Sequence, residues 1–150
     1  MMLSDDDLPS PAAMVALVDE VTYGVLGIGS TPAPPLDATT NAWTCGLPIG
    51  APADLILVLR CPESFARRVA DAMIGAQVAS GNDELVRESL AEFTSILGGN
   101  LKSLIPPLSC APLGSPHLDP DEPGAPLRTV ALRCGSDVLS LSLIPSAAEG

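Results

Sequence analysis

Aromatic side chains are scarce in this 150-residue chain, at 3% of the total: two phenylalanines, one tyrosine and one tryptophan. Any core must therefore be assembled from Leu, Val, Ile and Ala. Cations are scarce as well. Seven Lys and Arg stand against eighteen Asp and Glu, a net charge of −11. A protein that grips a phosphate backbone needs basic side chains to displace counter-ions, so nucleic acid is excluded as a partner, and an anionic membrane surface with it. A protein partner with a basic rim suits the charge better. The four cysteines (Cys45, Cys61, Cys110, Cys134) form no Cys-x-x-Cys pair, and the chain has a single histidine. Without closely spaced ligand pairs a structural zinc site has nothing to build on, and no metal is expected; reduced, mostly buried thiols are. No stretch approaches the roughly 20 apolar residues that span a bilayer. Asp5-Asp6-Asp7 has the wrong sign for a secretory signal, so a cytoplasmic location is expected.

Hydrophobic residues nevertheless make up 47% of the chain, enough for one domain with a sizeable core. Residues 1–9 read as an acidic flexible tail, 10–145 as the domain and 146–150 as a second tail. Ser10-Pro11 opens a helix with Met14, Leu17, Val18, Val21 and Val25 on its apolar side. Gly27-Ile28-Gly29 ends it, and Pro32, Pro34 and Pro35 enforce an extended connection. Two strands are predicted over 39–47 and 54–60, with a turn in Gly46–Pro52 between them; the run Leu55-Ile56-Leu57-Val58-Leu59 suits a central strand. A helix follows from about Pro62 to Gly75, and Asn82 or Asp83 caps a longer one. Residues 105–126, rich in Pro, Gly, Ser and Asp, read as an irregular loop with a short strand near Pro116–Leu118. Strands over 127–134 and 138–144, joined by Gly135-Ser136-Asp137, close the domain as a hairpin; the Ser/Leu alternation of the second predicts one buried face. The order defines an α/β (α+β) fold, a largely antiparallel sheet flanked by long helices, and not a βαβ wound one.

Two apparent motifs dissolve on inspection. Gly24-x-x-Gly27-x-Gly29 follows a helix and precedes prolines, whereas a dinucleotide loop needs a strand before and a helix after. His117 and nearby acids could sketch a hydrolase triad, but no nucleophile elbow accompanies them.

The stretch from Asp83 to Leu104 carries the most information. At about 100° per residue, Glu88, Glu92, Ser95, Gly99 and Lys102 fall on one stripe, while Val86, Leu90, Phe93, Leu97, Leu101 and Leu104 gather opposite. Most charged stripes are solvated faces. Gly98-Gly99 argues for more, because mid-helix glycines cost about 1 kcal/mol each relative to alanine. One of them lets another backbone approach the stripe; its neighbour can do the same for the sheet beneath.

Glu92-Phe-Thr-Ser95-Ile-Leu-Gly-Gly99-Asn100-Leu-Lys102 resembles the Glu-x-x-Asn-(apolar)2-x-Gly-Asn-x-Lys segment of CheX, in the CheC/CheX/FliY family of chemotaxis response-regulator phosphatases. The preceding helix, the loop with Pro116 and the closing hairpin are similar to that family over roughly residues 10–145. The resemblance implies a partner, a CheY-like receiver domain that brings its own aspartyl phosphate and Mg²⁺, so that no intrinsic cofactor is expected. It implies that Glu92 is the carboxylate that engages a lysine of the receiver, with Glu88, Gly99 and Lys102 completing the partner-binding surface. Ser95 stands where the family places the Asn that orients the attacking water. A hydroxyl on the same helix stops about 1–2 Å short of a carboxamide and lacks its paired donor and acceptor, and such misplacement can cost about 100-fold. Asn100, about 120° around the helix, cannot take over. The chain therefore resembles a CheX-like domain with weak or lost phosphatase activity. A homodimer through a sheet edge is expected, and a non-catalytic structural or assembly module is the alternative.

Overall fold

A computed structural model describes residues 3–35, 42–50, 53–75, 81–120 and 124–146. Helix α1 spans Pro11–Leu26, its start fixed by Ser10 Oγ accepting from the Ala13 N–H at 3.1 Å and its end by Gly27 at φ +74°. The remaining elements are β1 (Thr31–Pro32), β2 (Trp43–Gly50), β3 (Ala53–Cys61), α2 (Glu63–Met73), α3 (Asp83–Lys102), β4 (His117–Leu118), β5 (Arg128–Cys134) and β6 (Asp137–Pro145). The six strands form one sheet in the order β1-β5-β6-β3-β2-β4, every pairing antiparallel. This is the α+β architecture that the order of elements predicts.

The inner face of the sheet carries Cys45, Leu47 and Ile49 of β2, Leu55, Leu57, Leu59 and Cys61 of β3, and Leu139, Leu141 and Leu143 of β6, all buried under the helices. Period-2 alternation puts these residues on one side. Phe65 of α2 and Phe93 of α3 meet edge to face, with ring centroids 5.6 Å apart, so both phenylalanines of the chain go into joining these two helices. Arg67 bonds both Glu63 and, at 2.7 Å, Asp83 at the start of α3; that guanidinium holds the Asp83 carboxyl below the usual carboxylate range. The β5–β6 turn is anchored too. Asp137 is buried and receives Arg68 Nη1 at 2.7 Å and the Ser64 hydroxyl.

Four features depart from the sequence expectation. Residues 3–9, read as a tail, include a 3-10 turn at Asp5–Asp7 and a buried Leu8, because Arg128 bonds the Pro9 and Asp5 carbonyls and pairs with Asp5 at 3.0 Å. The strand expected over 39–47 starts at Trp43 and runs to Gly50, so residues 46–50 of the predicted turn are strand; residues 39–41 and 51–52 lie outside the described residues. A two-residue strand, β1, forms within the proline-rich connection and pairs with β5. Finally β6 is covered on both faces: Ser140 and Ser142 are 6% and 8% exposed, and Val58 and Ile144 beside them are fully buried. The segment after β4 explains part of this, since Pro120 packs onto the bare backbone of Gly46 and Pro145 lies beside Gly124.

Leu97 is fully buried at the centre of α3. Leu97→Ala should lower unfolding free energy by about 2–5 kcal/mol in denaturant titration, the range for a buried Leu that leaves a cavity.

Candidate functional site

Helix α3 is capped by Asn82, whose Oδ1 accepts from the backbone of Glu84 and Leu85. From there the helical period delivers two faces. Val86, Leu90, Phe93, Leu97 and Leu101 are fully buried, and Glu88 and Glu92 are exposed. Ser95, Gly99 and Lys102 are half-buried along the same stripe. The expected site residues thus share one outward strip, with one exception to the apolar side: Leu104 is 38% exposed, because α3 ends at Lys102 and the helical phase ends with it.

Neither Glu88 nor Glu92 makes an ion pair among the described residues, so both carboxylates are available to a cation from outside. Thr94, next to Ser95, turns inward and donates to the Leu90 carbonyl at 2.8 Å. Asn100 Nδ2 donates to the Ile96 carbonyl at 2.8 Å, which occupies the one carboxamide of this segment with the helix backbone. Lys102 Nζ donates to the Ala111 carbonyl at 2.6 Å. Its ammonium pins the segment beyond α3 and closes the C-terminal end of the strip.

The two glycines divide their work. Gly98 is buried, and a Cβ there would overlap Leu47 Cδ2 of β2; the missing side chain lets α3 lie close on the sheet. Gly99 is on the outward side, where a Cβ would find only Leu113 Cδ1 at 3.9 Å. It leaves bare backbone at the strip, next to Ser95 on the following turn.

Beside the strip, between α1 and α3, runs a groove of about 620 Å³. Leu17, Val21 and Val25 form one wall, Ile96 and Leu104 the other, and Glu20 stands at its rim. The sequence reading missed this groove. Its signal was the row of small residues on α1, Ala13, Ala16 and Gly24, which leave space where larger side chains would have filled it.

Nucleophilic alternatives find no support in the geometry. Cys45 and Cys61 are fully buried. Burial pushes the Cys45 thiol up, and pushes Cys61 up to about 12 with the nearby Cys45 and Asp137 adding to it, so neither supplies a thiolate at neutral pH. Among the described residues no three His, Cys, Asp or Glu side chains converge as a metal site, and no helix is long and apolar enough to cross a membrane.

No family model matches the sequence, and no curated protein does. Solved structures match the fold. A putative chemotaxis protein from Desulfovibrio vulgaris Hildenborough superposes with a TM-score of 0.67 at 11% identity, over 89% of this chain and 94% of that one. CheX from Vibrio vulnificus gives 0.64 at 15% identity, over 91% and 98%. The CheX of a CheX–CheY–BeF3–Mg²⁺ complex from Borrelia burgdorferi gives 0.61 at 12%, over 87% and 94%. The chain has the fold of CheX-type chemotaxis proteins along nearly its whole length.

Substitutions at the two glycines should separate their roles. Gly98→Ala should destabilise by about 1–3 kcal/mol through overpacking on Leu47. Gly99→Ala should be neutral or stabilising by up to about 1 kcal/mol, because helix propensity rises where space is open. Thermal unfolding monitored at 222 nm by circular dichroism reads both.

Proposed function

We propose that this chain docks a CheY-like receiver domain on the outward strip of α3, with Glu92 as the carboxylate that meets a receiver lysine and Glu88, Gly99 and Lys102 around it. The observation that carries the reading is the exposed pair Glu88 and Glu92, one helical turn apart and without an ion pair among the described residues, beside the bare backbone of Gly99. A related fold from Borrelia burgdorferi is found in complex with CheY, which supports the choice of partner. The receiver would bring the aspartyl phosphate and Mg²⁺; this chain would contribute position and charge.

Ser95 is placed to face the acyl phosphate in such a complex. Its hydroxyl makes no hydrogen bond among the described residues and is free to hold water, but it has neither the reach nor the paired donor and acceptor of a carboxamide. Phosphatase activity is therefore weak or lost, and receiver binding is the principal function. Decay of a phosphorylated receiver from the same genome tests this. Wild type should barely accelerate phosphate loss, Ser95→Asn should accelerate it measurably, and Glu92→Ala added to Ser95→Asn should abolish the gain. Strong acceleration by the wild type would mean that serine suffices. Absence of binding together with no gain from Ser95→Asn would leave the structural-module reading.

The same reading includes a homodimer through a sheet edge. Both edge strands, β1 and β4, are two residues long and guard only part of β5 and β2. Sedimentation at tens of micromolar should show a species of twice 15.3 kDa; a monomer alone would remove dimerisation while leaving receiver docking intact.

A further inference from the structure

Five cations of the described residues are half-buried: Arg60, Arg67, Arg68, Lys102 and Arg128. Four have acceptors. Arg67 holds Glu63 and Asp83, Arg68 holds Asp137, Arg128 holds Asp5, and Lys102 holds the Ala111 carbonyl. Arg60 has none among the described residues, in a chain whose acids outnumber its bases by eighteen to seven. A guanidinium carries five donors and loses hydration when partly buried, so this position leaves a demand for an acceptor that no described residue meets.

Arg60 lies on the outer face of the sheet, paired in register with Ser140 of β6. It lines a cavity of about 450 Å³. Ser140, Ser142 and Thr129 give this cavity polar groups, and Pro35 and Pro126 stand among its apolar walls. Ser142 and Thr129 satisfy each other at 2.9 Å. The Ser140 hydroxyl, on a residue only 6% exposed, has no partner among the described residues. No carboxylate is found among the lining residues described.

We propose that this cavity binds a small organic oxyanion, a carboxylate or phosphate on an apolar body, with Arg60 as its counter-ion and Ser140 as a second donor. The volume falls within the range of small-ligand sites, and a few convergent polar groups against apolar walls is their usual composition. Charge-assisted bonds from a guanidinium to an oxyanion are the strong ones, and a planar fork suits both carboxylate and phosphate. The cavity also reaches Pro11 and Val15 of α1 but takes no residue from α3, so the site does not depend on receiver docking.

Titration of the full ¹⁵N-labelled chain with benzoate, inorganic phosphate and uncharged benzamide tests it by amide chemical shifts. Benzoate or phosphate should move the amides of Arg60, Thr129, Ser140 and Ser142 saturably in the millimolar range, and benzamide should not. Arg60→Gln should weaken binding by about tenfold or more, Arg60→Lys should retain part of it, and Arg87→Gln, an equal loss of charge at an exposed position on α3, should change it little. Ser140→Ala keeps the test open should Arg60→Gln unfold, and should weaken binding severalfold. Equal binding of benzamide, undiminished binding by Arg60→Gln, or no saturable shift with either anion would overturn the proposal.

Discussion

The phase of helix α3 on the sheet is the constraint on which the candidate site depends. A twenty-residue helix that rotated by one residue, about 100°, would carry Glu92 into the buried position of Phe93. Rotation is prevented at two points. Phe93 is held by Phe65 near the N-terminal half, and Gly98 lets the helix settle on Leu47 near the C-terminal half. Lys102 adds a third tie through the Ala111 carbonyl. With the phase fixed, the positions of Glu88, Glu92 and Ser95 relative to the sheet follow without further contacts of their own. That is why a strip whose carboxylates make no ion pair among the described residues can still be well placed: its geometry is set from beneath.

The parts of this fold that were legible in the sequence are those where a period extends over several turns or residues. Met14, Leu17, Val18 and Val21 gave α1, the run from Leu55 to Leu59 gave β3, and the Val86–Leu101 series gave both the existence and the facing of α3. The antiparallel order followed from the hairpin chemistry and the absence of βα alternation. What could not be read depended on distant partners. Thr31 and Pro32 become a strand only because β5 offers them a neighbour. The N-terminal acids are drawn in by Arg128, more than a hundred residues away in sequence. Gly46 resembles a turn residue in isolation; it is a strand residue because Val58 and His117 pair with it, and Pro120 occupies the space that a side chain there would need. At the candidate site the stripe was legible and the groove beside it was not, since a groove is defined by what two helices leave unfilled between them.

Electrostatics and packing lead to one picture of the surface. The half-buried cations, apart from Arg60, are spent on internal joints: between α2 and α3, between α2 and the β5–β6 turn, between the N-terminal turn and β5, and at the end of α3. The exterior is left with most of the acidic excess. Such a surface repels polyanions and favours encounter with a basic patch, with an association rate that falls as salt is added. On α3 this field is not uniform decoration, because Glu88 and Glu92 lie on the same strip as the bare backbone of Gly99.

Docking and catalysis place unequal demands on that strip. A carboxylate on a flexible stem reaches a lysine over a range of geometries, and exposed ion pairs are tolerant of displacement. Orienting a water for in-line attack is not, because alignment errors near 1 Å carry costs of about 100-fold. On the proposed reading Glu92 meets the first demand, and Ser95 falls short of the second by the difference between a hydroxyl and a carboxamide, on a helix fixed to the sheet beneath it. The rigidity that positions Glu92 is thus the same rigidity that prevents Ser95 from closing the gap. On that proposal a chain built this way would hold a receiver and turn it over poorly, unless the receiver itself supplies the missing group.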